Sequence, residues 1–206
     1  MNIQALLNAH PIISDQVTAE ELVVVLRELE RVLQQGIPGH LVEFGCYTGT
    51  TSLFLRRLLN ATQKSDQREL HVYDSFAGLP AKASQDSSTT GEQFKAGELS
   101  ASKKQLIANF KHAGLQLPHI HKGWFSELTA ADVPSPIAFA FLDGDFYDSI
   151  IDSLRLVWPR LSSGGVVTID DYQREALPGV ERAVHDFFGG QAEVRHQATI
   201  AIIKKV

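Results

Sequence analysis

Residues 136–172 read PIAFAFLDGDFYDSIIDSLRLVWPRLSSGGVVTIDDY. PIAFAFLDGD is a strand: a short, continuous apolar run of the kind found in sheets buried on both faces. FYDSIIDSLRLVWPRL has the spacing of an amphipathic helix, and GGVVTIDDY is a second strand. Strand, helix and strand in that order predict a parallel crossover. The first apolar run ends in three acids, Asp143, Asp145 and Asp148. Carboxylates gathered at the mouth of a core repel one another and lose hydration, so their presence asks for a ligand.

The same alternation runs outward in both directions. Residues 18–35, TAEELVVVLRELERVLQQ, are helical in period, with Thr18 as N-cap and Glu21 three positions later. Gly36, Pro38 and Gly39 stop that helix. HLVEFGCY is a buried strand, TGTTSLFLRRLL a helix, and ELHVYDSF a strand ending in Asp74. SASKKQLIANFKHAGL is an amphipathic helix and LPHIHKGW a strand. PGVERAVHDFFGG is a helix bracketed by Pro178 and Gly189. AEVRHQ and ATIAIIKKV form a terminal β-hairpin. The expectation is one α/β domain over 1–206, with a helical segment at 1–38 and a mostly parallel sheet. Residues 80–100, polar and rich in Gly, Ser and Thr, are too long for a plain connection and are expected to be a lid or a disordered excursion.

Composition narrows the function. The 206 residues are 44% hydrophobic and 21% charged, with a formal net charge of −5. No Lys/Arg-rich run is present, which argues against nucleic acid or an anionic membrane as partner. No stretch is long and apolar enough to span a bilayer, and the first residues lack a signal-peptide pattern. Cys46 is the one cysteine, which excludes an intramolecular disulfide and fits a reducing cytoplasm.

In open parallel sheets, ligands bind beyond the carboxyl ends of the strands. Asp74, Asp143, Asp145, Asp170 and Asp171 all fall there. The first strand ends in E-x-G-x-x-x-G, Glu43 to Gly49. This is neither the dinucleotide G-x-G-x-x-G nor a phosphate-binding P-loop. Gly45 and Gly49 allow a tight turn and close approach of a ligand. A nucleoside without phosphates fits better. Asp74 would accept from two ribose hydroxyls, and Glu43 would help hold a cationic amino-acid end. S-adenosylmethionine has these parts. Tyr47 and Thr50 in the same turn, and Ser75 after Asp74, join the expected cofactor set.

Asp170 and Asp171 end one strand and Asp143 ends its expected neighbour. Hard oxygen donors converging there suit Mg²⁺ or a similar divalent ion, which would neutralise their repulsion. Asp145, two residues past Asp143, would point the same way in an extended chain, as a fourth ligand or as a general base. Asp148 belongs to the first turn of the next helix. His119 and His121 share a strand face, but no further Cys or His completes a zinc-site spacing, which favours a structural role.

The ordered pieces VEFGCYTGTTS, VYDSFAGLP, KGWFSEL, LDGDFYDS, PRLSSGGVVTIDDY and PGVERAVHDFF resemble the macrocin O-methyltransferase family, which methylates sugar hydroxyls of macrolides and related natural products. The resemblance runs from Leu41 to Phe188. It implies a class I methyltransferase Rossmann-like sheet of seven strands, with a C-terminal antiparallel hairpin. It implies S-adenosylmethionine and a divalent metal as cofactors, with Asp143, Asp170 and Asp171 as metal ligands and Asp145 as candidate base. It would put Gly123 and Trp124 beside the adenosine, and Asp143 is counted with the cofactor residues as well. The implied reaction is Mg²⁺-dependent methylation of a hydroxyl on a small-molecule acceptor. The metal arrangement is also similar to that of catechol O-methyltransferases. The chain looks shorter at its N-terminus than typical members of that family, in which this segment helps form the acceptor pocket or dimer contacts; the resemblance leaves the acceptor and the assembly open, with a homodimer as one expectation. Two other readings compete. A nicotinamide-dependent oxidoreductase lacks its G-x-G-x-x-G here, and a non-catalytic S-adenosylmethionine-binding module would not need the acid at position 145.

Overall fold

The structure is a computed structural model that describes all residues except 1, 63–67 and 90–92. The strands are β1 (His40–Phe44), β2 (Leu70–Asp74), β3 (His119–Lys122), β4 (Ile137–Leu142), β5 (Leu161–Ile169), β6 (Val194–Gln197) and β7 (Ile200–Lys204). Among the described residues these seven form one sheet in the order β3-β2-β1-β4-β5-β7-β6. The pairs from β3 to β5 are parallel. β7 runs antiparallel to both β5 and β6, so the predicted hairpin is present with its second strand on the inside.

The helices are α1 (Ile3–Ala9), α2 (Ala19–Gln34), α3 (Thr50–Ala61), α4 (Lys103–His112), α5 (Tyr147–Val157) and α6 (Pro178–Phe188). Because strand side chains alternate, each strand feeds two cores. Leu41, Val72, Phe139, Phe141 and Ile202 pack with α2, α3 and α4. Val42, Phe44, Tyr73, Ala140, Leu142 and Ile203 pack with α5 and α6. The caps follow the residues. Thr18 and Glu21 close a reciprocal capping box on α2, and Gly189 ends α6 in the left-handed conformation. No helix among the described residues is long and apolar enough to cross a membrane.

β2 and β4 flank β1, and the strand order reverses between β1 and β4. A crevice opens at such a point. In the expected lid, residues 90–92 lie outside the described residues. The first part of the segment is tied down. Asp86 is buried and accepts from the backbone N–H groups of Ala83 and Tyr147, each at 2.8 Å. That bond gives the N-terminus of α5 a carboxylate partner. At its ends, Leu79 N–H donates to the Glu98 carbonyl and Gly97 N–H to the Leu79 carbonyl, both at 2.9 Å.

Candidate active site

Backbone hydrogen bonds tie the strand ends around the crevice. Gly45 N–H donates to the Tyr73 carbonyl at 2.8 Å and Asp143 N–H to the Phe44 carbonyl at 2.7 Å. Asp170 N–H donates to the Leu142 carbonyl and Gly123 N–H to the Asp74 carbonyl, at 2.9 and 3.0 Å. The turn after β1 needs its glycine. Gly45 has φ +85°, and a methyl there would run into the Asp143 carbonyl.

Asp74 holds this turn in place. Its Oδ2 accepts from the N–H groups of Cys46 and Tyr47, both at 3.0 Å, and its Oδ1 from Phe76 N–H at 2.7 Å. A carboxylate offers about four lone-pair positions. Three are therefore in use, which leaves one for a ligand hydroxyl rather than the pair expected from sequence.

Two contiguous clefts result, sharing Gln16, Gly45, Tyr47 and Asp143 in their walls. The larger, about 780 Å³ and open to solvent, is lined by Asp74, Ser75, Gly123, Trp124, Asp143, Asp145 and Asp171, among others. Its apolar wall comes from Leu79, Phe94, Leu99 and Phe125. The smaller, about 260 Å³, holds Glu43, Thr48 and Thr50. Glu43 is buried and accepts from the Ser52 hydroxyl; burial pushes its carboxyl up to about 8. The Thr48 and Thr50 hydroxyls are buried without a hydrogen-bond partner. Glu43, whose carboxyl burial keeps protonated, and the two threonines with enclosed, unpartnered hydroxyls therefore border one small space.

The acid cluster is where structure and expectation differ most. Asp145 does not continue the strand: β4 ends at Leu142 and Asp145 has φ +58°. It reaches the cleft from a left-handed turn, so strand alternation gives the wrong reason for its direction. Burial, then Asp171, push its carboxyl up to about 8, against the Arg174 guanidinium. Burial, followed by the neighbouring acids, raises Asp143 and Asp170 well above the usual range. Asp171 is raised by burial as well, and Arg174 pairs with it and opposes the shift. Asp170 does not line the larger cleft; its Oδ1 accepts from Asp171 N–H at 2.8 Å and from the Thr199 hydroxyl at 3.3 Å. The oxygens of Asp143, Asp170 and Asp171 are not all within 4.8 Å of one another. As a donor set they suit a hard divalent cation, whose charge would relieve the crowding that raises all three.

Sequence reading missed Gln16, Phe94, Leu99 and Arg174. Gln16 comes from the segment before α2, and Phe94 and Leu99 come from the loop. None carries a motif, and each is brought in by long-range chain path. Arg174 is three residues past Asp171, in a turn whose direction only the structure shows.

A doubly covered sheet with a reversed last pair, bearing a glycine turn and strand-end acids without phosphate spacing, defines the class I methyltransferase fold. The solved structure of the O-methyltransferase NovP has the same architecture, with a TM-score of 0.77 and 25% identity over 91% of this chain and 80% of that one. The profile described as Macrocin-O-methyltransferase (TylF) matches residues 10–201, and the chain belongs to that family. A similar protein in Streptomyces olivaceus is 8-demethyl-8-(2,3-dimethoxy-alpha-L-rhamnosyl)-tetracenomycin-C 4'-O-methyltransferase, 37% identical over 78% of this chain. Another, in Micromonospora griseorubida, is mycinamicin III 3''-O-methyltransferase, 32% identical over 77% of this chain. The matches span 62% and 64% of those two relatives, so this chain covers less than two thirds of their length.

Proposed function

We propose that this chain transfers a methyl group from S-adenosylmethionine to a hydroxyl of a small natural-product acceptor, a sugar hydroxyl foremost. The observation that carries the reading is the pair of joined clefts. One is bordered by Glu43, Thr48 and Thr50, and the other offers buried acids beside an apolar wall. The names of the relatives, a rhamnosyl-tetracenomycin-C 4'-O-methyltransferase and a mycinamicin III 3''-O-methyltransferase, support the choice of acceptor.

When bound, S-adenosylmethionine supplies an electrophilic methyl on a sulfonium. Glu43 would lose its proton and face the amino group, and Thr48 and Thr50 would bond the same end. The free lone pair of Asp74, with Ser75, Gly123 and Trp124, would hold the nucleoside. A Mg²⁺ ion would be held by Asp143, Asp170 and Asp171 and would supply positive charge that lowers the pKa of the acceptor hydroxyl. Loading requires Asp171 to give up Arg174. Asp145 would take the proton of the acceptor hydroxyl, readying that oxygen for the methyl group that S-adenosylmethionine would supply. Phe94 and Leu99 of the 80–100 segment close on the acceptor and exclude water, which makes that segment the lid.

The test is a labelled-methyl transfer screen of sugars, diols and catechols, with and without Mg²⁺. Labelled product from sugars only when Mg²⁺ is present is the expected result. Preference for catechols would redirect the acceptor, turnover in chelator would remove the metal, and binding of the donor without any product would leave a non-catalytic module.

A further inference from the structure

At the amino ends of the strands, on the far side of the sheet from the crevice, four histidines and a glutamate come together. His40 starts β1, Glu69 precedes β2, His71 is on β2, and His119 and His121 are on β3. Parallel register makes the gathering. Leu41 is paired with Leu70, which sets His40 beside Glu69, and His71 is paired directly with His119. Alternation then puts His71 on the same face as Glu69, and His119 on the same face as His121.

We propose that His40, Glu69 and His71 form a binding site for one divalent transition-metal ion, zinc foremost, with His119 at its open side. The Glu69 carboxylate is the hub. Its Oε2 lies 3.2 Å from His71 Nε2 and 3.7 Å from His40 Nδ1, and its Oε1 lies 3.4 Å from His119 Nε2. One donor atom from each of His40, Glu69 and His71 falls within 4.8 Å of the others. Zinc binds imidazole nitrogen and carboxylate oxygen at about 2.0–2.2 Å in a tetrahedron, which sets its ligand atoms roughly 3.3–3.5 Å apart. The observed separations bracket that spacing before any ion is bound. Two imidazoles and a carboxylate are a donor set that suits zinc, copper or nickel better than magnesium.

The surroundings are those of ligating histidines. His71 Nδ1 lies 3.1 Å from His121 Nε2, so the ring has an outer partner on the side away from Glu69. Without an ion, His71 Nε2 and Glu69 Oε2 share a 3.2 Å hydrogen bond; an ion would take the place of that proton, with Nδ1–H donating to His121. His40 Nδ1 accepts a long 3.3 Å bond from Glu69 N–H, a bond weak enough for that nitrogen to exchange for an ion. Stacking of His71 on His119, and of His121 on Tyr73, fixes the ring planes. The side chains of Glu69 and His119 are about half exposed, at 52% and 55%, which leaves a way in for the ion.

The site would clip together the amino ends of β1 and β2 and, through His119, the four-residue edge strand β3. That strand leads directly to Gly123 and Trp124 in the larger cleft. The inference does not depend on methyl transfer.

The experiment uses the whole chain, stripped with chelator, with excess Mg²⁺ present to occupy the oxygen-rich crevice. Co²⁺ is titrated while its visible ligand-field bands are followed, and Zn²⁺ is then added in competition. The expected result is one saturable Co²⁺ per chain with low-coordinate band intensity, displaced by Zn²⁺. Glu69→Gln and His40→Ala, both at accessible positions, should each weaken it by at least about tenfold while leaving the metal-free unfolding midpoint and S-adenosylmethionine binding unchanged. Zn²⁺ should raise the melting temperature of the natural chain and not of Glu69→Gln. Equal Co²⁺ affinity in all three proteins, or no saturable binding, overturns the site and leaves the histidines as a packed ladder. Either outcome is independent of whether labelled methyl is transferred.

Discussion

Replacing Asp74 with alanine should damage the protein twice over. Its carboxylate receives three backbone N–H groups, from Cys46, Tyr47 and Phe76. A hydrogen bond to a charged group contributes about 1.5–3 kcal/mol, and a buried donor left without a partner costs about 1–3 kcal/mol. The site is only partly buried, so water replaces some of what is lost. A summed loss of about 2–4 kcal/mol follows, which for a chain of this size lowers the melting temperature by about 4–16 °C. Asp74→Asn keeps one accepting oxygen and should lose roughly half as much. Affinity for S-adenosylmethionine should fall by about tenfold to a hundredfold in Asp74→Ala, because both the turn and the remaining lone pair are gone. Urea unfolding with a constant m-value, paired with calorimetric titration of the donor, measures both quantities. If stability drops and affinity does not, Asp74 serves the turn alone. If neither changes, the reasoning about its three donors is wrong.

Asp145→Asn should lower kcat by about 10²–10⁴ without recovery by Mg²⁺, whereas Asp170→Ala should regain activity as Mg²⁺ is raised; rescue of both alike in a Mg²⁺ titration would make Asp145 a ligand. Glu43 should make the protein less stable as pH rises. Its proton stays on the folded chain and leaves the unfolded one between 4.5 and about 8, so stability present below that window is lost across it. Glu43→Gln should flatten this decline, by on the order of a few kcal/mol between pH 5 and 8, in urea unfolding series at each pH. Amides in the 80–100 segment should exchange more slowly once donor and acceptor are bound; unchanged rates would deny that it closes.

Strand-end acids were legible because a parallel sheet delivers every strand's carboxyl end to one side, and a strand is easy to see in FAFLDGD. The same logic misled at Asp145, since nothing in the local sequence announced a left-handed turn two residues past the strand. Thr18 and Glu21 were readable as a cap because the motif is local. That Glu21 also accepts from the Thr199 hydroxyl at 2.6 Å was not, because 178 residues separate them. The histidines show the limit most clearly. His119 and His121 were visible as a pair, but His40 and His71 join them only through the register of three strands, and a spacing rule sees one strand at a time. Asp74 was found for its position, while its hold on the glycine turn depends on where the Cys46 and Tyr47 amides point.

The place of β7 has a consequence for assembly during synthesis. It is the last of the seven strands to be made, yet it sits between β5 and β6, with Ile200, Ala201 and Ile203 fully buried. Until it emerges from the ribosome, β6 has no partner and β5 presents an open edge to whatever chain is nearby. Thr199, at its start, is also the residue that bridges Glu21 and Asp170. The nascent chain can therefore form its glycine turn and first helices early, but the wall behind Asp170 closes only after β7 has been made. A stalled or clipped product should consequently be a sticky, half-finished sheet rather than a weaker enzyme.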